Sequence, residues 1–328
     1  MTRRNAFKLA LTVALLPFAG FIAQAQPAFP TKQLRLVVPF PPGGPTDVFA
    51  RQYASRLATV LGQPVVVDNK SGASGAIGSV EVKNAKPDGY TLLFGTASTH
   101  GLYNLISRQP QYDALKDFSP IAIVGGAPVA YVVSTGMPPD LKGLVALAKA
   151  KPGTLQYGSP GEGTYLHLAG ERLKKEAGGI DIQHIPYRGA AQSMPAVLGG
   201  QVAMIVDTLG TSLPNHKAGK LRIVAVASAK RSAQAPDVPT VDEAIGTSGF
   251  EALLWNVVAA PADTPAPVLE VLSAASAKVM ADPSLHEQLA MLSIQPVTNS
   301  NPAAASAYIR AEMDKWRPVV EATGIRID

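Results

Sequence analysis

Short runs of β-branched and apolar residues alternate along this chain with longer amphipathic segments. Apolar residues recur at roughly helical spacing over 48–61, after a first apolar run at 34–38. Continuous apolar strands separated by helical crossovers indicate parallel strands covered on both faces, so we expect an α/β fold. Further strands are predicted at 64–69, 90–96, 121–134, 155–159, 180–187, 201–207, 221–228 and 250–261, and further helices at 79–85, 141–150, 165–177, 190–198, 267–280, 284–291 and 302–321.

The number of elements predicts two domains, because about 300 residues exceed what a single core usually serves. The C-terminal helices have only the strand at 250–261 beside them in sequence, so we expect them to pack on the first domain. The second domain is then an insertion. The predicted boundaries are 26–126 plus 250–328 for domain 1 and 127–249 for domain 2, with a two-strand hinge near Gly126–Val129 and Thr247–Glu251.

The first 25 residues are typical of a secretory signal peptide. Basic residues at 3, 4 and 8 precede an apolar run over 9–22, and Ala23-Gln24-Ala25 matches a small-x-small cleavage site. A membrane anchor is the alternative, but Pro17 and Gly20 interrupt a run shorter than the ~20 residues that a spanning helix needs. We therefore predict cleavage after Ala25 and a soluble periplasmic protein.

Charge and cysteine content exclude several classes of function. The net charge of +5 comes from 29 basic and 24 acidic residues, and removal of three basic residues with the signal peptide leaves +2. No basic run indicates nucleic-acid binding. The chain has no cysteine, and its five histidines lack the spacing of metal ligands. We expect no disulfide, no metal and no cofactor.

The stretch from Leu34 to Asp47 predicts a strand, a tight loop and the start of a helix. Gly43 and Gly44 have no Cβ, so a ligand can approach the backbone there. Thr46 or Asp47 is a plausible N-cap. The first amide groups of a helix, together with its dipole, favour an anion. The loop is therefore predicted to hold an anion.

Loops at the carboxyl ends of other predicted strands share this character. In α/β sheets the ligand lies outside those ends. One such loop is more often an ordinary turn, but six together favour a binding site. They are 40–47, 71–75 and 96–100 in domain 1, and 159–164, 187–190 and 207–211 in domain 2. The candidate ligand-binding residues are Phe40, Pro42, Gly43, Gly44, Thr46, Asp47, Ser71, Gly72, Ala73, Thr96, Ser98, Ser159, Gly161, Gly163, Thr164, Tyr187, Arg188, Gly189 and Asp207.

Two charged candidates have more than one interpretation. Arg188 could bind a carboxylate in bidentate fashion or form a surface ion pair. Asp207 ends an apolar strand, where an unpartnered carboxylate would be costly. It could orient water, accept a ligand amine or cap the next turn.

Enzymatic interpretations find little support. The glycines at 72, 75 and 78 follow a strand with GxxGxxG spacing, not the GxGxxG of dinucleotide-binding proteins. Ser98 and Ser159 do not lie in a G-x-S-x-G motif, and Pro160 lacks the N–H that the residue after such a nucleophile donates. We do not expect an enzyme; a secreted hydrolase or lyase acting on carboxylated substrates is the alternative.

Ten short motifs in order resemble one family over essentially the whole mature chain. They are VVPFPPGGPTD (37–47), GQPVVVDN into SGASGAIG (62–78), PDGYTLL (87–93), DFSPIA (117–122), YGSPGEGT (157–164), HIPYRGA (184–190), GGQV (199–202), GKLR (219–222), PDVPTVDEA (236–244) and APADTP (260–265). With them the chain resembles the periplasmic solute receptors of tripartite tricarboxylate transporters, the Bug family related to TctC.

The resemblance implies a two-domain periplasmic binding protein, type II-like, that closes on its ligand like a flytrap. It also implies a small organic carboxylate as ligand (a di- or tricarboxylate, an acidic amino acid or an aromatic acid), membrane permease subunits as partners, and a monomer. The loop at 40–47 would hold one carboxylate, partly through water, and the loops at 159–164 and 187–189 would contribute the rest. Many relatives have Lys at the position of Arg188 and an acid at that of Ala203. A receptor that serves a two-component sensor is a further alternative.

Overall fold

The computed structural model describes residues 29–328, and the predicted signal peptide lies outside them. The strands are β1 (Leu34–Val38), β2 (Val65–Asn69), β3 (Thr91–Thr96), β4 (Phe118–Ser134), β5 (Leu155–Ser159), β6 (Ile182–Pro186), β7 (Met204–Thr208), β8 (Leu221–Val226), β9 (Leu253–Pro261) and β10 (Gln295–Pro296). The helices are α1 (Pro45–Leu61), α2 (Ala76–Lys83), α3 (Tyr103–Ile106), α4 (Leu141–Ala150), α5 (Tyr165–Glu176), α6 (Ala190–Leu198), α7 (Leu209–Lys217), α8 (Val241–Ile245), α9 (Ala266–Met280), α10 (Pro283–Met291) and α11 (Pro302–Thr323). Across residues 29–328, every helix is too short or too polar to span a membrane.

The strands form two parallel groups joined by antiparallel pairs. The order is β2-β1-β3-β9-β4-β7-β5-β6, and β8 and β10 also pair with β4. β1 runs parallel to β2 and β3, and β5 runs parallel to β6 and β7. β9 is antiparallel to β3 and β4, because β4 takes the chain out of the first group and β9 brings it back. The predicted α/β class is confirmed, with more antiparallel pairing than expected.

Strand β4 passes through both groups. Its first part pairs with β9 from Phe118 to Pro128, and its last part lies between β7 and β8. The Val129 N–H donates to the Ala252 carbonyl at 3.0 Å, and the Val129 carbonyl accepts from the Ala227 N–H at 2.8 Å. The two chain segments of the predicted hinge therefore lie side by side. The domain boundaries drawn from the sequence stay a prediction.

The C-terminal helices do not all pack on one group of strands. Helix α9 packs on α1, as predicted, but α11 also packs against α5 from the middle of the chain. The rings of Trp316 on α11 and Tyr165 on α5 meet edge to face at 4.7 Å. Trp255 on β9 donates to Glu312 on α11 at 3.0 Å. Buried aromatic surface thus places α11 across both groups, which the sequence did not predict.

Helix α7 occupies a segment in which no helix was predicted. Gly210 and Pro214 lie inside it, and both residue types disfavour helix interiors. Gly210 has a packing reason, because a Cβ there would lie 1.8 Å from the Leu292 carbonyl oxygen. The chain after α10 and helix α7 therefore approach each other at backbone distance.

Two buried histidines and one half-buried histidine are held neutral. His100 has Thr99 Oγ1 2.9 Å from its Nδ1, whereas its Nε2 has no partner among the described residues. The rings of His167 and His184 stack at 3.8 Å. Burial lowers the pKa of His100 to about 3 and that of His167 to about 4. Burial, then the neighbouring His167, lower the pKa of His184 to about 3.

Substitution of Gly210 by Ala is expected to destabilise the fold by about 1–3 kcal/mol, because the new methyl group overlaps backbone. Thermal unfolding followed by calorimetry measures the effect. Gly136→Ala is the matched control, since a Cβ at that position meets nothing within 4 Å. Equal melting temperatures for the two variants would contradict the assigned contact.

Acid is expected to weaken the fold through the buried histidines. An unfolded histidine takes up a proton near pH 6.5, whereas these three stay neutral in the folded state to about pH 4 or below. The unfolded state therefore binds more protons between these limits, and His100 and His167 each lower the free energy of unfolding by about 1.4 kcal/mol per pH unit as pH falls, whereas the half-buried His184 contributes less because solvent screens it. Urea unfolding from pH 6.5 to 4.5 should show a shallower pH dependence for His100→Gln. An unchanged slope would contradict the neutral burial of His100.

Candidate functional site

Helix α1 begins with unpaired amide groups. Its N-cap is Gly44, which offers no side-chain acceptor, and Pro45 occupies the first helical position. Proline has no N–H to satisfy and its φ suits that position. The amides that follow, those of Thr46 and Asp47, belong to the first turn and have no acceptor within the helix. The start of α1 therefore offers donors to whatever lies in front of it.

The Asp47 side chain holds this loop in shape and does not face a ligand. Its carboxylate accepts from the Gly43 N–H at 2.9 Å, from Asn69 Nδ2 at 2.9 Å and from Arg51 Nε at 3.0 Å. Burial alone would raise the pKa of Asp47, but the hydrogen bonds from Arg51, Gly43 and Asn69 hold it below its usual value. Asn69 also donates to the Phe40 carbonyl at 3.0 Å. Asp47 thus joins both ends of the loop.

Helices α5 and α6 begin at the facing side of the molecule. The N-cap of α6 is Gly189, again without a side-chain acceptor, and its N–H donates to the Pro160 carbonyl at 2.9 Å. Thr164 caps α5 by accepting from the His167 N–H at 3.3 Å. The hydrogen bond from the Gly189 N–H to the Pro160 carbonyl holds the starts of α5 and α6 close together.

The first residues of α1, α5 and α6 line one small cavity of about 40 Å³, here called the inner cavity. Its walls are otherwise apolar, and no charged side chain lines it. The lining residues are Phe40, Pro41, Pro42, Gly44, Pro45, Thr46, Ser98, Pro160, Thr164, Leu166, Gly189, Ala190, Ala191 and Leu254. A small space bordered by helix N-termini and neutral hydroxyls suits an anion.

The loops from the two groups of strands touch across this cavity. Tyr165, the first residue of α5, donates its N–H to Ser98 Oγ at 2.9 Å. Ser74 Oγ donates to the Glu162 carbonyl. A Cβ at Gly189 would lie 3.0 Å from Pro41 Cγ. The cleft is therefore in a closed arrangement.

A wider cavity of about 530 Å³, the outer cavity, adjoins the inner one. The two share Phe40, Pro41, Pro160, Thr164 and Gly189. The residues that line only the outer cavity are Ser71, Gly72, Ala73, Ser74, Gly75, Gly161, Glu162, Pro186, Tyr187 and Arg188. Its surface is more polar and carries charged groups that the inner cavity lacks.

The structure divides the predicted residues into three sets. Those at the inner cavity are Phe40, Pro42, Gly44, Thr46, Ser98, Thr164 and Gly189. Those only at the outer cavity are Ser71, Gly72, Ala73, Gly161, Tyr187 and Arg188. Those that line neither are Gly43, Asp47, Thr96, Ser159, Gly163 and Asp207. Their ligand-binding role stays a prediction for the first two sets and has no geometric support for the third.

Two residues of the third set use their polar atoms within their own loops. Asp207 accepts from the Thr208 N–H at 2.8 Å, from Thr211 Oγ1 at 2.7 Å and from Ser212 Oγ at 3.1 Å, and burial raises the pKa of its carboxyl group. It braces the start of α7, which was one of its predicted interpretations. Ser159 is fully buried, with its Oγ 2.7 Å from His184 Nε2.

Arg188 lies at the outer cavity and is exposed. In the described part of the chain its guanidinium group makes no ion pair, so the predicted surface ion pair is absent there. Its backbone N–H donates to Gln192 Oε1 at 3.3 Å. Arg188 is thus available to a ligand group in the outer cavity and does not reach into the inner cavity.

Apolar wall residues are the part of the site that the sequence analysis missed. They include Leu166 on α5, Leu254 on β9, and Ala190 and Ala191 at the start of α6. A leucine in a predicted helix or strand is interpreted as a core residue, because no local sequence feature distinguishes a leucine at a cavity wall from one in the core. Ala190 lies in the predicted loop 187–190 although it was not named as a binding residue, and Ala191 could have been found, because it follows that loop directly.

Within residues 29–328, no group of three or more His, Cys, Asp or Glu side chains is placed to hold a metal ion. The polar groups at the inner cavity are amides and hydroxyls, which are donors to anions. The site therefore offers recognition of a solute by hydrogen bonding.

Comparison with known proteins also indicates a protein that binds a solute. Residues 49–325 match the family described as "Tripartite tricarboxylate transporter family receptor" (TctC). BugT of Bordetella pertussis is 33% identical over 323 residues, covering 97% of this chain and 98% of BugT.

Two similar solved structures contain a bound acid. Rpa4515 of R. palustris, solved with adipate, is 34% identical with a TM-score of 0.86, covering 91% of this chain and 99% of that one. MatC of Rhodopseudomonas palustris, solved with malate, is 30% identical with a TM-score of 0.82, covering 89% and 100%. With the family match and BugT, they show that this chain belongs to the TctC family of periplasmic solute-binding receptors and is not an enzyme.

Proposed function

We propose that this receptor binds a small organic carboxylate between its two domains, with one carboxylate group in the inner cavity, and delivers it to the membrane permease of a tripartite tricarboxylate-type transporter. The observation that carries the proposal is the convergence of three helix N-termini on one cavity without a charged side chain. The adipate and malate bound to Rpa4515 and MatC support a carboxylate as ligand. The signal-like N-terminus supports a periplasmic location.

Neutral donors suit a receptor that must release its ligand. Each helix N-terminus contributes roughly half a unit of positive charge, so the three together can balance one carboxylate. Amide and hydroxyl donors also replace the water that the carboxylate loses on burial. Because the donors come from both domains, opening the cleft removes about half of them, and the affinity falls with them.

Ser98 couples ligand binding to closure of the cleft. A serine hydroxyl has one proton to donate and two lone pairs. Ser98 Oγ accepts from the Tyr165 N–H across the cleft, and no hydrogen bond among residues 29–328 uses its proton. In the closed state that proton is free for a carboxylate oxygen in the inner cavity. Accepting from Tyr165 polarises the hydroxyl and strengthens this second bond.

A thermal-shift screen of the mature protein against mono-, di- and tricarboxylates tests the proposed function. Ligand that binds the native state raises the melting temperature by mass action. At least one carboxylate is expected to raise it by several degrees, whereas the corresponding neutral amides are not. A screen in which no carboxylate raises the melting temperature at 10 mM (about the upper limit for a useful receptor ligand) would refute the proposal.

Ser98→Ala is expected to weaken carboxylate binding about 5- to 30-fold, because it removes one hydrogen bond to a charged group and the contact to Tyr165. Titration calorimetry with the best ligand of the screen measures the change. Ser55→Ala is the control, since Ser55 is exposed on α1 and lines neither cavity. Equal affinities for Ser98→Ala and the unmodified receptor would rule out this role of Ser98.

Gly189→Ala is expected to weaken binding at least tenfold, because its methyl group would meet Pro41 of the other domain only when the cleft closes. Gly200→Ala is the matched control: Gly200 also has a positive φ, but a Cβ there meets nothing within 4 Å. Gly189 has φ 106° and ψ 160°, a region that essentially only glycine adopts, so its variant carries more backbone strain than Gly200→Ala, and the melting temperatures of the unliganded variants measure that strain separately from binding. Similar dissociation constants for both variants would show that closure does not need the space at Gly189.

A further inference from the structure

Gly163 was predicted to bind the ligand, but the structure gives it a different position. It is buried at φ 70° and lines neither the inner nor the outer cavity. A Cβ at this position would lie 2.8 Å from Ile327 Cγ2 and 3.1 Å from Ile106 Cδ1. Gly163 therefore fills a space between these two side chains, here called the isoleucine notch, that only a glycine fits.

The two walls of the isoleucine notch are joined to each other. Residues 325–328 follow α11, and there the Ile327 N–H donates to the Ile106 carbonyl at 3.0 Å, while the Arg108 N–H donates to the Ile327 carbonyl at 2.9 Å. Ile106 is fully buried at the end of α3, between strands β3 and β4 in sequence. The notch is thus a fixed part of the side of the molecule that carries the first group of strands.

Gly163 belongs to the other side of the cleft. It lies in the loop between β5 and α5, where its N–H donates to His167 Nδ1 at 3.0 Å. The same loop holds Thr164, which caps α5 and lines the inner cavity. Because these bonds tie Gly163 to the first turn of α5, the position of Gly163 sets that of the α5 start at the inner cavity.

We propose that the isoleucine notch receives Gly163 when the cleft closes, and that Ile327 thereby positions the start of α5 and slows release of the bound carboxylate. The inference rests on the proposed function and adds a positioning residue to it. Ile327 lines neither cavity, so its effect passes through Gly163. In the open state Gly163 has left the notch, and the isoleucine side chains meet water. Closure buries them again, and each CH₂-sized group that leaves water favours the closed state about fourfold.

Release kinetics test the role of Ile327. The probe is whichever of adipate, malate, citrate and benzoate binds the unmodified mature receptor most tightly in titration calorimetry, and stopped-flow mixing measures its two rate constants. Ile327→Ala is expected to raise the dissociation rate constant about 3- to 15-fold and to leave the association rate constant within about twofold, because the open state lacks the contact. Ile327→Val keeps the Cγ2 atom nearest Gly163 and is expected to restore slow dissociation.

Ile325→Ala is the matched control, because Ile325 is a half-buried isoleucine of the same segment and is not among the nearest neighbours of Gly163. Its dissociation rate constant is expected to stay within about twofold of that of the unmodified receptor. A general loosening of residues 325–328 would affect both variants alike, whereas loss of the notch affects only Ile327→Ala. Equal dissociation rate constants for Ile327→Ala and Ile325→Ala would overturn the inference.

A pair of substitutions tests the contact itself. Gly163→Ala places a methyl group against Ile327 Cγ2 and is expected to weaken binding of the probe by about tenfold or more. In the Ile327→Ala background that atom is gone, so the penalty of Gly163→Ala is expected to be smaller by about threefold or more. The positive φ of residue 163 costs the same in both backgrounds and cancels in the comparison. Equal penalties in the two backgrounds would show that Gly163 does not contact Ile327 in the bound state.

The outcomes separate this inference from the proposed function. If the unmodified receptor binds the probe and Ile327→Ala releases it no faster, the role of Ile327 is wrong while carboxylate binding stands. If adipate, malate, citrate and benzoate all fail to bind the unmodified receptor, the proposed function fails and the inference fails with it.

Discussion

Helices α1 and α6 begin at glycines, which have no side chain to accept hydrogen bonds from the first amide groups, and the site is organised around that constraint. Gly44 and Gly189 are the N-caps of α1 and α6. Unpaired amides are tolerated only where water or a ligand meets them. The two helix starts therefore cannot be packed against protein and must border a space. The sheet brings both to the same space, and Asp47 holds the loop before α1 in shape by accepting from the Gly43 N–H and from Asn69, which also donates to the Phe40 carbonyl.

Much of the fold could be predicted because its elements carry local signals. Helix α4 has the predicted bounds, 141–150, because Asp140 caps a regular amphipathic segment. The two-strand hinge was predicted near 126–129 and 247–251, but the antiparallel pairing of β4 with β9 from Phe118 to Pro128 was not, since pairing between residues more than 100 positions apart leaves no local pattern. Helix α7 was not predicted because Gly210 weakens the local helix signal. A glycine is needed there because the backbone of Leu292, which is distant in sequence, packs directly against it.

The site was predicted in outline for a similar reason. Glycines and hydroxyls that follow strands mark loops where backbone must be accessible, and five of those named line the inner cavity. Asp47 and Asp207 were predicted to bind the ligand, but their carboxylates accept hydrogen bonds from their own surroundings. The sequence does not distinguish a carboxylate that stabilises its loop from one that binds a ligand. Leu166 and Leu254 escaped it, because an apolar side chain looks the same at a cavity wall and in a core.

An anchor made of main-chain amides has an evolutionary consequence. Point substitutions replace side chains, so almost none of them can delete the amide donors at the starts of α1 and α6. The residues that touch the body of the ligand, such as Leu254 and Ala191, are free to change one at a time. A gene duplicated from this one can therefore acquire a different acid as its ligand without passing through a form that binds none, which is the condition for large sets of paralogous receptors to arise.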